Sequence, residues 1–180
     1  MRHGRPQCDY PGWIHAADLA RWIEHYDRAR VGTAQVPGHA IAAAARARVV
    51  VTSTLARATS SVAALGRQAD LVDACFAEAA LPHAAWGGLR LPVAAWAALF
   101  RLAWLCGYRR NAASCAATRL RASMAAQRLV DLASQGPVLL VGHGILNRMI
   151  AAELTSRGWA ELSREGRRGG AYWSCVELGG

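Results

Sequence analysis

From Leu19 onward, apolar residues return at Trp22, Ile23 and Tyr26, with Arg21, Glu24, Asp27 and Arg28 between them. That period predicts an amphipathic helix of about four turns. Val31 to His39, holding Gly32, Pro37 and Gly38, reads as a loop, and alanine-rich Ala40 to Ala47 as a short helix. The pattern then changes. Val49-Val50-Val51 is an unbroken β-branched run, which suits a strand covered on both faces. Ser53 or Thr54 is placed to cap a helix from Leu55 to about Gly66. Leu71 to Phe76 reads as a second short strand. Val138 to Val141, after the helix stop Gly136-Pro137, reads as a third. Gly142-His143-Gly144 turns that strand into a helix carrying Ile145, Leu146, Met149, Ile150 and Leu154, and a last strand is expected from Tyr172 to Leu178. Strands alternating with helices predict a single α/β domain over residues 1–180, a three-layer α/β/α stack on a mostly parallel sheet. Such sheets place their sites where strands end and helices begin. Two such junctions carry chemistry here, Thr52 to Arg57 and Gly142 to Gly144.

Leu91 to Tyr108 is apolar apart from Arg101. Pro92 at its start and Arg101 at its middle argue against a membrane span, so a buried or subunit-facing helix is expected, and with it a surface for a homodimer. Composition adds two points. All 21 basic residues are arginine, and they outnumber the 12 acidic ones, for a net charge of +9. The excess favours anionic partners such as phosphates, but the charge is scattered and forms no nucleic-acid-reading motif. The five cysteines include no Cys-x-x-Cys pair, so neither a disulfide framework nor a zinc site is expected. Free thiols and the lack of a signal-like apolar run behind Met1 point to a cytoplasmic protein.

Four short segments occur in order. They are Arg2-His3-Gly4; Ser53-Thr54-Leu55-Ala56-Arg57-Ala58-Thr59-Ser60-Ser61; Phe76-Ala77-Glu78-Ala79-Ala80-Leu81-Pro82; and Val138-Leu139-Leu140-Val141-Gly142-His143-Gly144. Together they resemble the motifs of the histidine phosphatase superfamily, the phosphoglycerate-mutase-like fold. The resemblance implies roles that agree with elementary chemistry. Arg2 and Arg57 would grip a phosphate dianion with guanidinium forks. His3, neutral near pH 7, would attack phosphorus, with Gly4 allowing close backbone approach. His143 would stabilise the transferring group, and Gly144, opening a helix, would add its N–H and the helix dipole. Glu78 would protonate the leaving alcohol and then activate water. Asp73 and Glu153 are weaker substitutes for that acid. No metal or cofactor is implied, because the cations of the chain supply the charge.

The pattern departs from the family in three places. The family's Arg-His-Gly closes a strand of about five apolar residues in the sheet centre. Here only Met1 precedes it, which predicts a largely missing first strand and a loosely held His3, unless upstream residues, another segment or a partner chain fill the gap. Where the family often has Gly-Glu-Ser, this chain has Gly107-Tyr108-Arg109-Arg110-Asn111. Gln7 and Cys8 replace the Thr and Asn common in sugar-phosphate members. These departures and the short chain favour a phosphatase over a mutase. The expected activity is hydrolysis of a small phosphomonoester, with a protein phosphohistidine phosphatase or a non-catalytic phospho-ligand or protein binder as alternatives. His15, His25, His39 and His83, and the charges Arg109, Arg110, Arg164, Arg167 and Arg168, are expected to be structural or solvated.

Overall fold

A run of valines sits at the centre of the molecule. In the computed structural model, which describes residues 1–33, 36–166 and 171–180, strand β2 (Val49–Thr52) is buried along its whole length. It follows β1 (Trp13–His15), α1 (Leu19–Arg28) and α2 (Gly38–Arg46) in the chain. After it come α3 (Ala56–Ala64), β3 (Leu71–Val72), β4 (Arg90–Pro92), α4 (Val93–Leu105), α5 (Cys115–Ala133), β5 (Val138–Val141), α6 (Gly144–Ser156), β6 (Ala160–Glu165) and β7 (Cys175–Gly179). β2 pairs in parallel with β3 on one side and β5 on the other, Val49 opposite Val138 and Thr52 opposite Val141. Side chains alternate across a strand. Val50 therefore packs with Ala40, Ala44, Val62 and Leu65 of α2 and the α3 end, whereas Val49 and Val51 pack with Ala122, Ala126, Leu146 and Ile150 of α5 and α6. The result is the expected three-layer α/β/α arrangement.

Two antiparallel pairs, β1 with β4 and β6 with β7, lie outside the parallel sheet. Neither β1, β4 nor β6 has a clear hydrophobic signal: β1 and β4 are three residues each, and β6 is almost wholly exposed. Leu71 to Phe76 is only partly strand. The Asp73 carboxylate accepts from Cys75 N at 2.7 Å and converts Ala74–Phe76 into a 3-10 turn. The apolar segment begins as β4, and its helix starts after Pro92. Trp96 and Phe100 join a third core with Leu19 and Ile14, while Leu99, Leu102 and Leu105 are exposed. Among the described residues no helix is long and apolar enough to cross a membrane.

The first residues lie along β5. Met1 accepts from Gly142 N at 3.0 Å, His3 N donates to Gly142 O at 2.9 Å, and the Met1 ammonium donates to Leu140 O at 2.8 Å. Burial pushes the pKa of that ammonium below its ordinary value. The ladder is a single parallel bridge, Arg2 to Gly142. Below it, between β5 and β7, a cavity of about 1010 Å³ is lined by Leu140, Ile150, Leu154, Val176 and Leu178, with Met1 at its head.

Gly4 is fixed by packing. A Cβ there would press into Trp173 Cζ2 and lie 2.6 Å from Val31 Cγ1. Gly4→Ala should cost about 1–3 kcal/mol of stability, as overpacking does in closed cores. Urea denaturation will show it as a lowered midpoint at unchanged slope.

Candidate active site

Three chain segments meet where the parallel strands end: Met1–Gly4, the junction after β2, and the junction after β5. Their imidazoles, His3 and His143, lie with ring centroids 5.2 Å apart and are 2% and 0% exposed. The expected looseness of His3 is corrected here. Its N–H is held by Gly142 and its carbonyl accepts from Trp173 N at 3.3 Å, so the turn that precedes β7 supplies a second clasp.

The hydrogen bonds define the His3 tautomer. His3 Nδ1 lies 2.7 Å from the Gly4 carbonyl. A carbonyl only accepts, so Nδ1 carries the proton and Nε2 keeps its lone pair. Ser53 Oγ lies 2.7 Å from His143 Nε2 and accepts from Leu55 N at 3.3 Å. The hydroxyl meets Nε2 as donor when His143 carries its proton on Nδ1, and as acceptor when the proton is on Nε2. Among the described residues, that Nδ1 and Arg57 Nε are buried without a hydrogen-bond partner. Buried nitrogens of this kind cost free energy until a partner arrives. Ser53 therefore orients His143 and does not cap α3, whose N-cap is Leu55 with no side-chain cap.

Burial lowers His3 from 6.5 to about 3; the Gly4 carbonyl opposes it, and the Arg57 and Arg2 charges add smaller downward pushes. Burial, then Arg57, His3 and Arg2, lowers His143 to about 2. Both rings are thus neutral across the physiological range.

The remaining predicted residues surround this pair. Arg57 is buried and ion-paired to Asp27 at 2.6 Å, a partner that the sequence pattern had assigned to the solvated face of α1. Gly144 opens α6, and a Cβ there would sit 3.7 Å from Arg2 Nε and 3.8 Å from Glu78 Oε2, which brings Arg2 and Glu78 to the same helix start. Glu78 accepts from Ile145 N at 3.2 Å and Leu146 N at 3.0 Å. Its segment is pinned from behind: Arg121 donates to Ala77 O at 2.6 Å and Arg101 to Ala79 O at 3.0 Å. The serine run acts through its hydroxyls. Ser61 Oγ accepts from Gly4 N at 2.9 Å and Ser60 Oγ from Val31 N at 2.8 Å.

Other candidates lie elsewhere. Asp73 pairs with Arg128, and Glu153 with Arg157 and Ser123. His39 Nε2 lies 2.9 Å from Trp173 O, a structural contact. Arg109 and Arg110 are exposed and Arg164 pairs with Glu161, while Arg167 and Arg168 lie outside the described residues. Among the described residues no cluster of His, Cys, Asp and Glu is placed to hold a metal ion.

Two buried imidazoles with Arg2 and Arg57 beside them stand at the carboxyl edge of a parallel sheet in an α/β fold. The model of the histidine phosphatase superfamily, branch 1, matches residues 31–179, and the chain belongs to that superfamily. The fold also resembles solved structures. An open-reading-frame product of Mycobacterium tuberculosis shares 16% identity over 99% of this chain and 92% of its own, with a TM-score of 0.53. A mycobacterial protein described as hydrolase 2 shares 20% over 98% and 86%, at 0.54. A mycobacterial glucosyl-3-phosphoglycerate phosphatase shares 22% over 86% and 77%, at 0.51. No curated protein sequence matches the chain significantly. Superfamily membership supports phosphatase chemistry in general terms.

Proposed function

We propose that this single domain is a phosphatase that hydrolyses a small phosphomonoester through a phosphohistidine on His3. The observation that carries the reading is the pairing of a bare imidazole nitrogen, His3 Nε2, with two buried nitrogens that lack partners, His143 Nδ1, a donor in the tautomer this reading uses, and Arg57 Nε. A phosphoryl group satisfies both donors, while the forks of Arg2 and Arg57 take up its negative charge.

In the first step the Nε2 lone pair forms the N–P bond as the P–O bond to the leaving group breaks. Glu78, protonated, gives its proton to the leaving oxygen. The phosphorylated ring now bears positive charge, and the Gly4 carbonyl, accepting from Nδ1–H, stabilises it. In the second step water attacks phosphorus. Glu78 takes the water proton, the N–P bond breaks, and its electrons return to Nε2. The products are the alcohol, inorganic phosphate and neutral His3. The cations do the charge neutralisation that a metal ion performs in other phosphoryl-transfer sites.

The test is to mix the protein with radiolabelled aryl phosphate, quench in alkali, and map the label. An alkali-stable, acid-labile phosphate on the peptide containing His3 is expected. No label and no release of inorganic phosphate would overturn catalysis, and retained phosphate binding in that case would identify a non-catalytic binder.

A further inference from the structure

The two guanidiniums assigned to phosphate are each covered by an aromatic face. Arg2 Cζ lies 4.6 Å from the Tyr172 ring centroid and Arg57 Cζ lies 4.7 Å from that of Tyr26. Tyr172 also stands 5.7 Å from the His3 ring. The aromatic surface continues outward. Trp22 stacks on Tyr26 at 5.0 Å with 25° between planes, and Tyr10 lies 6.1 Å from Trp22. The Tyr10 hydroxyl meets that of Tyr172 at 3.1 Å. Four rings from three separate stretches of chain thus make one wall. None of the four is fully buried, and Tyr10 is 41% exposed.

Two of its three phenols, those of Tyr10 and Tyr172, are paired with one another, which makes this part of the wall less polar. Burial raises the Tyr10 and Tyr26 hydroxyls above their usual range, so both stay neutral and repel no phosphate. Position adds a constraint. The leaving oxygen must lie within reach of Glu78, and Glu78 and Arg2 meet at the start of α6. Tyr172 is stacked on that same Arg2. Whatever the ester oxygen carries therefore emerges beside an aromatic plane.

We propose that this wall selects aryl phosphomonoesters, the leaving phenol stacking against Tyr172, Tyr10 and Trp22 while its phosphoryl group enters between Arg2, Arg57 and His143. The inference rests on the phosphatase reading of the site. A planar aromatic ring gains from offset or edge-to-face stacking where an alkyl chain gains only area.

Phenylphosphonate and methylphosphonate test it, since neither is cleaved and leaving-group reactivity cannot enter. Calorimetric titration of the whole chain should give about tenfold tighter binding of the phenyl compound, the scale expected for one aromatic stack. Tyr172→Leu and Trp22→Leu should each bring the two affinities within about twofold of one another; the second lies on a half-exposed face of α1, so it preserves the test if the first disturbs the fold. Equal binding in the unaltered chain, or tighter binding of a sugar-bearing phosphonate, overturns the aryl preference alone if phosphohistidine still forms on His3. Failure of both phosphonates to bind, together with no phosphohistidine, overturns the phosphatase reading and the preference with it.

Discussion

Replacing His3 by alanine should lower kcat for aryl phosphate hydrolysis by about 10⁴-fold or more, the scale seen when a covalent nucleophile is removed. The size of the loss follows from what remains. Arg2, Arg57 and His143 Nδ1 still surround the phosphoryl group, so binding of a phosphonate should change far less than turnover. The backbone is also spared: the His3 N–H to Gly142 and the Trp173 N–H to His3 O do not involve the imidazole. Steady-state kinetics beside calorimetric binding will separate the two effects. A kcat within tenfold of the parent would remove His3 from the chemistry, since a ring that merely filled space could not account for covalent turnover.

Acid should unfold the protein steeply. An unfolded histidine takes up a proton near 6.5, whereas His3 in the fold does so only at about 3 and His143 at about 2. Between those values the unfolded state binds more protons than the native state, so stability rises with pH and is lost as pH falls. Each imidazole contributes a slope of about 1.4 kcal/mol per pH unit in this window, and the pair about twice that. Against a total stability of about 5–15 kcal/mol, the loss on the way to pH 4 is a large share. Urea midpoints measured from neutral to pH 4 should trace it. His143→Asn should flatten the dependence by about half the combined slope. An unchanged slope in that variant would show that His143 titrates normally in the fold. The same sign predicts a rate that does not fall through protonation of His3 between neutral pH and about pH 5, because that group remains a base throughout.

The parts of this molecule that could be read from the sequence are those where one local rule decides the outcome. Three consecutive valines have one good home, a strand covered on both faces, and β2 is that strand. Glycine on either side of His143 marks a strand-to-helix turn, and His143 stands at that turn, between β5 and α6. What escaped reading was distant pairing. Asp27 and Arg57 are 30 positions apart and Ser53 and His143 are 90 apart; nothing at either position announces the other. Ser53 carried a capping signal because serine near a helix start usually caps it, but the stronger partner was an imidazole from another strand. Tyr10 and Tyr172 carried no signal at all. The helix period of α1 explained Trp22 and Tyr26 as core, yet both rings lie partly exposed in a wall that Tyr10 and Tyr172 complete. The short pairs β1–β4 and β6–β7 rest on backbone geometry, which hydrophobic pattern does not record.

His3 is gripped by Gly142 on one flank and by Trp173 on the other, while Arg2 donates to Ser174. Contacts across such separations form late in a search dominated by chain closure. The grip on His3 is therefore among the last parts of the fold to close. Until β5 and the turn before β7 are both in place, the two imidazoles have no fixed relation to one another.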